Sequence, residues 1–385
     1  MKTFAGLGSG TALEGVTQRP VFSSSRRVDL WLLGAAACLV AIGLVMVLDA
    51  GYFLGRERFG DALALIRRQL FFVVLASAAA WVASRVPSWA WQRLAYPALG
   101  LGIVLLIAVL MPGLGVTRGG ATRWLRLGPF VFEPSELMKP VFVLYLAHSL
   151  TRKQERLQSF FWGVLPHLML LGLPVVLLLA EPDFGAATVL VLVSLAMLLL
   201  AGARSWHVLG LGLLLVPPAA LLVWMSPYRA ARVVGFLDPF SDAQGKGFQL
   251  VQSFLAFGNG GAFGSGLGGG RQKLFFLPEG HTDFIYALTA EALGAAGCLV
   301  IVGCFAIIAV RGLRIGLRGR DLFARLLGVG LTVLLVGQAV LNLGVVTGLL
   351  PTKGLPLPFL SYGGSATLVT GGTLGVLLGL SRESR

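Results

Sequence analysis

Charge is scarce in this chain. Asp, Glu, Lys and Arg make up 12% of its 385 residues, about half the usual share for a soluble domain. A soluble enzyme of this length is excluded, because one core cannot hide a hydrophobic fraction of 56%. The same composition excludes disorder. Cysteine is scarcer still. Cys38, Cys298 and Cys304 all fall inside apolar runs, which excludes a disulfide framework or a thiolate metal site and leaves small buried hydrophobes. Acids are few, 17 against 31 Lys and Arg, for a net charge of +14. Of four histidines, three (His148, His167 and His207) sit near the ends of apolar runs and read as interfacial anchors.

What remains is apolar sequence of membrane-spanning length. Runs appear at about 30–49, 70–86, 94–112, 137–150, 161–180, 184–203, 207–226, 283–310, 322–348 and 362–381, and a helix of about 20 apolar residues crosses a bilayer. Mean hydropathy is +0.83. The expected fold class is all-α: a polytopic membrane protein of about ten helices. The run at 137–150 is short, so it must thin the bilayer or pack inside the bundle. The expected organisation is a polar tail at 1–28, a membrane domain at 29–381 and a short tail at 382–385. The tail at 1–28 holds no apolar core, so no cleaved signal peptide is expected and the first span acts as the anchor.

The positive excess is unevenly placed. Arg26 and Arg27, Arg152, Lys153 and Arg156, and Arg311, Arg314, Arg318, Arg320 and Arg325 all cluster at one end of the spans. That is the positive-inside pattern, with both termini cytoplasmic, and it removes the nucleic-acid reading of the net charge.

The other side carries the longer loops, 113–136, 227–282 and 349–361. In the first, Pro134-Ser135-Glu136 reads as a helix start with a carboxylate in its first turn. Glu136 and Lys139 share a helix face. A lysine entering an apolar run is either a functional group or half of a structural ion pair. Arg123-Trp124 is either a ligand contact or an interfacial anchor. Glu181-Pro182-Asp183 joins two spans with almost no loop; it either binds a cation or, the favoured reading, caps the next helix at Asp183.

The long loop offers many donors, among them Arg229, Arg232, Lys246, Gln249 and Gln252, which suits a phosphate or a sugar, although a solvated loop would carry the same residues. Gly264-Ser265-Gly266-Leu267-Gly268-Gly269 matches G-x-G-x-x-G, but no strand precedes it. Close backbone packing explains it better than a dinucleotide. The loop ends at Arg271-Gln272-Lys273 and His281-Thr282-Asp283-Phe284. Thr282 or Asp283 would serve as an N-cap; alternatively Asp283, with Arg271, Lys273 and His281 nearby in sequence, is a base beside cations that hold an anionic leaving group. Glu291 lies two turns deeper. Lys353 and Ser361 in the last outer loop line either a structural wall or a ligand wall.

Taken together, Gly120 to Trp124, Glu133-Pro134-Ser135-Glu136-Leu137-Met138-Lys139, Glu181-Pro182-Asp183-Phe184-Gly185, Phe236-Leu237-Asp238-Pro239, His281-Thr282-Asp283-Phe284 and Pro356 to Ser365 resemble the SEDS family (shape, elongation, division and sporulation) over about 30–381. Pro351-Thr352-Lys353-Gly354 and Gln272 to Glu279 look more like its division branch than its elongation branch. Glu133 stands where the family commonly has Gln, and Phe184 where it has Leu. The resemblance implies a ten-span peptidoglycan glycosyltransferase of the bacterial inner membrane that polymerises lipid II. It also implies an outer cavity around an essential Asp283, a class B penicillin-binding protein as partner, and contact with other divisome or elongasome membrane proteins. In that chemistry Asp283 takes the proton of the acceptor's GlcNAc 4-hydroxyl, which attacks MurNAc C1 with inversion. Candidate substrate contacts are Arg123, Trp124, Glu136, Lys139, Arg232, Gln252, Lys273, His281, Lys353 and Ser361. A divalent cation, Mg or Mn, is expected, with unknown ligands and no organic cofactor. The competing readings are an elongation polymerase, a lipid II flippase and a non-enzymatic scaffold.

Overall fold

The computed structural model describes residues 28–118, 120–128, 130–270, 272, 277 and 280–384. Lys273 and Arg271 lie outside the described residues, as does the expected N-terminal tail up to residue 27.

The long helices are α1 (Leu30–Phe59), α2 (Ala64–Ala83), α3 (Ser88–Leu110), α4 (Pro134–Arg152), α5 (Leu165–Ala180), α6 (Phe184–Leu200) and α7 (Ser205–Trp224). Two short helices, α8 (Pro227–Leu237) and α9 (Phe248–Gly260), occupy the long loop, and α10 (Ile285–Leu317), α11 (Leu322–Val346) and α12 (Gly364–Glu383) complete the chain. Among the described residues, eight helices are long and apolar enough to cross a membrane. α6 is apolar but only 17 residues long. α4 has 19 residues, and nearly every one from Pro134 to Leu150 is buried. These two complete the expected ten, and the short run at 137–150 is accommodated by packing inside the bundle.

Several helices run past their apolar stretch. α2 begins six residues before the expected 70, taking in Arg67 and Arg68, and α3 begins at Ser88 and takes in Arg93. Long basic side chains carry their charge back to the interface while their stems stay apolar.

The all-α expectation needs one correction. Residues 115–132 form a three-stranded antiparallel sheet, β1 (Gly115–Arg118), β2 (Ala121–Leu127) and β3 (Phe130–Phe132), in the order β1-β2-β3. Its turns carry Gly120 at φ +79 and Gly128 at φ +63, which tight hairpins require and glycine alone adopts freely. Phe130 stacks on Phe71 of α2 at 5.5 Å, docking the sheet on the end of the bundle.

Two histidines are also corrected. His167 and His148 are buried rather than interfacial. His167 Nδ1 donates to the Gly163 carbonyl at 2.6 Å, and its Nε2 lies 3.0 Å from Ser149 Oγ. A polar pair spanning α4 and α5 satisfies itself, so neither group needs the interface.

α10 is broken at Gly294, where φ is 67 and ψ −166. A break frees carbonyls and amides that a bilayer cannot satisfy. The glycine-rich loop after α9 satisfies them: Ser265 N donates to Glu291 O at 2.9 Å and Gly266 N to Ala292 O at 3.1 Å, while Ala295 and Ala296 donate back to Gly261 and Ala262. Close backbone packing is therefore what the G-x-G-x-x-G stretch does. Glu291, 3% exposed, accepts the Gln272 amide at 3.1 Å and ties down the far end of the same loop.

Candidate functional site

The site is built where the start of α10 meets the loop between α11 and α12. α10 begins at Ile285, Phe284 holds the cap position, and no side chain caps it. Neither Thr282 nor Asp283 holds the N-cap position.

Three consecutive carbonyls around Asp283 are instead held from outside. His281 O accepts Tyr362 N at 3.0 Å, Thr282 O accepts the Ser361 hydroxyl at 2.6 Å, and Asp283 O accepts Asn342 Nδ2 at 2.8 Å. Ser361 Oγ also accepts Leu357 N at 2.8 Å, and Asn342 Nδ2 donates to Leu355 O at 2.6 Å. The His281 and Tyr362 rings lie 5.6 Å apart. A backbone held at three successive residues leaves the aspartate side chain little choice of origin, which is the preorganisation a reacting group needs. Across from it, a Cβ added to Gly354 would stand 3.2 Å from Asp283 Oδ2. Glycine keeps that side of the carboxylate clear.

Cations collect on the same loop. Lys353 donates to Thr188 Oγ1 on α6 at 3.1 Å, and burial pushes its ammonium below the ordinary lysine range. Arg232 on α8 donates to Thr352 O at 3.3 Å. Lys139 reaches the loop indirectly. It is 2% exposed, and its Nζ bonds Glu136 Oε1 at 2.8 Å and Gln338 Oε1 at 2.7 Å. Gln338 then donates to Pro356 O at 2.9 Å. Lys139 and Glu136 thus hold the loop through α11, with the ammonium taken up by protein partners.

Arg123 on β2 is bound to the α5–α6 turn. It donates to the Glu181 carbonyl at 3.3 Å and to the Pro182 carbonyl, and lies 3.9 Å from Asp183 Oδ1. Asp183 caps α6 through Ala186 N at 3.0 Å, as favoured from sequence. Gly185, on the first turn of α6, packs against Leu355 and the Gly354 carbonyl, so this turn abuts the Asp283 loop. Trp124 sits on β2 opposite Val116. Gln252 is half-buried on α9 beside Ser253, whose hydroxyl donates to Val346 O at 2.7 Å.

Sequence reasoning missed Asn342, Gln338 and Thr188, which sit inside apolar helices. It named Glu133 and Glu181 but missed that the fold brings them together. Glu181 is 0% exposed, and neither carboxylate oxygen has a hydrogen-bond partner. Burial, with Asp183 and Glu133 nearby, raises its pKa to about 8. Burial, then Glu136 and Asp183, does the same to Glu133, also to about 8. Arg123 and Lys139 oppose the shift without cancelling it. Both acids hold a proton in the folded protein that they lose on unfolding above the ordinary pKa of 4.5. Stability therefore falls as pH rises from about 4.5 to about 8, and the loss is complete above that window. Glu181→Gln removes its share: melting curves should show a variant more stable than wild type at pH 8.5 and indistinguishable from it near pH 4.5. A variant less stable at both pH values would mean the carboxyl has a partner it needs.

Among the described residues, no group of three or more His, Cys, Asp or Glu side chains is placed to hold a metal ion. The described residues do not form a ready metal cage.

An apolar ten-helix bundle with buried acids, cations and one pinned aspartate gathered at a single end defines an integral membrane protein with a polar site at one membrane face. Residues 30–385 match the cell cycle protein family that groups FtsW, RodA and SpoVE. The chain belongs to this family. It is 44% identical to a probable peptidoglycan glycosyltransferase FtsW of Trichlorobacter lovleyi, over 92% of this chain and 93% of the relative. It is 45% identical to another of that name from Thioalkalivibrio sulfidiphilus, over 94% and 91%. Among solved structures, one from work on the structural coordination of polymerization and crosslinking by a peptidoglycan synthase complex superposes with a TM-score of 0.76. It is 31% identical over 92% of this chain and 98% of that one. Thermus thermophilus rod shape determining protein RodA superposes with a TM-score of 0.69 at 29% identity, over 93% and 97%.

Proposed function

We propose that this chain is a peptidoglycan glycosyltransferase that polymerises lipid II during cell division, with Asp283 as its general base. Family membership and the FtsW-named relatives support the activity and the division branch. The observation that carries the site is the triple hold on the carbonyls of His281, Thr282 and Asp283.

In this reading the Asp283 carboxylate takes the proton from the acceptor's GlcNAc 4-hydroxyl. The oxygen attacks MurNAc C1 of the donor, the configuration inverts, and undecaprenyl pyrophosphate leaves. Negative charge grows on the pyrophosphate, which Lys353 and Arg232 on the neighbouring segment are placed to stabilise. Arg123 and Lys139 act further back, as residues that position the walls. A dependence on Mg or Mn would draw on the substrate's own phosphates, since magnesium commonly binds through one or two carboxylates and substrate phosphate. The positive-inside bias supports a site on the outer face with both ends of the chain in the cytoplasm. A class B penicillin-binding protein is the partner this reading implies, by analogy with the synthase-complex neighbour.

The test is proteoliposomes holding the chain and its class B partner, supplied with fluorescent lipid II and a divalent cation. A ladder of glycan on a gel is the expected product. Lipid movement across the bilayer without polymer would indicate a flippase, and neither activity would leave a scaffold.

A further inference from the structure

A cavity of about 490 Å3 runs between α1, α2 and α12. Its walls are mostly apolar, with small groups at Ala37 and Ala41 of α1, Ala76 and Ala80 of α2, and Gly371 of α12. Thr367 and Phe359 close one end, Arg382 and Trp81 line the other, and the stretch of α12 from Thr367 to Arg382 is about 22 Å long. α2 and α12 touch closely along it; a Cβ on Gly371 would lie 2.7 Å from the Ala76 carbonyl. α1 packs on α2 but makes little contact with α12, and its Ala37 and Ala41 are exposed, which leaves the groove open along one side.

The dimensions choose the kind of occupant. About 490 Å3 spread over about 22 Å leaves a mean section of about 22 Å2. A helix about 10 Å across needs about 80 Å2, so a partner's transmembrane helix cannot enter the groove and could only lie across its mouth. A single extended hydrocarbon chain, whose carbons touch neighbours at about 4 Å, needs roughly 15–20 Å2.

The charge at one end chooses its headgroup. Arg382 lines the groove there, and among the described residues its guanidinium makes a 3.5 Å bond to the Ser84 carbonyl, while the Arg85 guanidinium lies 3.9 Å over the Trp81 ring. Of the acids at that end, Asp29 accepts Arg311 Nε at 2.8 Å, and Glu383 accepts Ser88 N at 3.0 Å through one oxygen while its other oxygen is buried without a hydrogen bond among the described residues. Basic pockets between membrane helices bind anionic lipid headgroups.

We propose that this groove holds one acyl chain of an anionic phospholipid, with Arg382 and Arg85 on its phosphate, at the end of the bundle opposite Asp283. The site stands whether or not the chain polymerises glycan.

Full-length protein in detergent is titrated with dioleoyl phosphatidylglycerol or dioleoyl phosphatidylcholine, and bound lipid is counted by native mass spectrometry. One phosphatidylglycerol per chain is expected, held roughly 10-fold more tightly than phosphatidylcholine. Ala41→Phe and Ala37→Phe, each filling the groove from its open side, should remove that lipid without changing the melting profile. Arg85→Gln with Arg382→Gln should keep a bound lipid but erase the preference, which gives a readout should the phenylalanine variants fold poorly. Equal binding of the two lipids by wild type, or phosphatidylglycerol retained by both phenylalanine variants, overturns the proposal. So does a wild-type chain that binds phosphatidylglycerol only after residues 1–27 are removed, since the groove would then belong to that segment.

Discussion

Asp283→Asn is expected to lower the polymerisation rate by about 10²–10⁴, the contribution of a positioned general base, with little change in the KM for lipid II. The reasoning is local. The amide keeps the size of the carboxylate, and the three bonds that hold this segment end on backbone carbonyls, which the substitution leaves in place. What disappears is the ability to take a proton. Asp283→Glu keeps that ability but should also fail, because the longer side chain has to enter the space kept open by Gly354, where even a Cβ would lie 3.2 Å from Asp283 Oδ2. Initial rates with both variants in the partner complex check the pair of outcomes. A Glu variant with near-normal rates would mean the carboxylate position is less constrained than these contacts require.

Lys139→Met should unfold the protein rather than merely slow it. The ammonium is 2% exposed and Glu136 6%, and removing one member of a buried ion pair costs about 3–5 kcal/mol because the other charge stays behind. Gln338 loses its partner too, and with it goes part of the hold on the Pro356 carbonyl. The double variant Glu136→Gln with Lys139→Met should recover most of the lost stability, since no buried charge is stranded. Its activity should stay low, because the loop around Asp283 has lost a brace. Thermal melts and rates on the single and double variants separate the two effects; a double variant as unstable as the single would place the damage in packing instead of charge.

Much of this was legible in the sequence because it depends on neighbours along the chain. The helix start at Pro134-Ser135-Glu136, the Glu136–Lys139 pair three residues apart and the Asp183 cap all follow from local spacing. The sheet of β1, β2 and β3 was hidden inside what reads as an outer loop. The candidates Asp283, Arg232, Lys353 and Ser361 were legible as residues, but the contacts that assemble them were not. Ser361 reaches Thr282 across 79 positions and Asn342 reaches Asp283 across 59, and no periodicity encodes such pairs. The same distance concealed the Glu133–Glu181 encounter, which arises only because β2 and the α5–α6 turn meet at Arg123. Asp283 looked like an N-cap because a carboxylate just before an apolar run usually is one. The helix starts two residues later instead, with Phe284 at the cap position.

The most direct measurement is a gel of the products from labelled lipid II and a divalent cation. It compares wild type and Asp283→Ala, each purified with and without the co-expressed class B partner and each checked for retained fold. Polymer from the wild-type complex and none from the variant complex, at equal partner content, is the predicted result. Polymer of normal length and amount from the folded Asp283→Ala complex would contradict the assignment of the base and move the chemistry to another group at this end of the bundle.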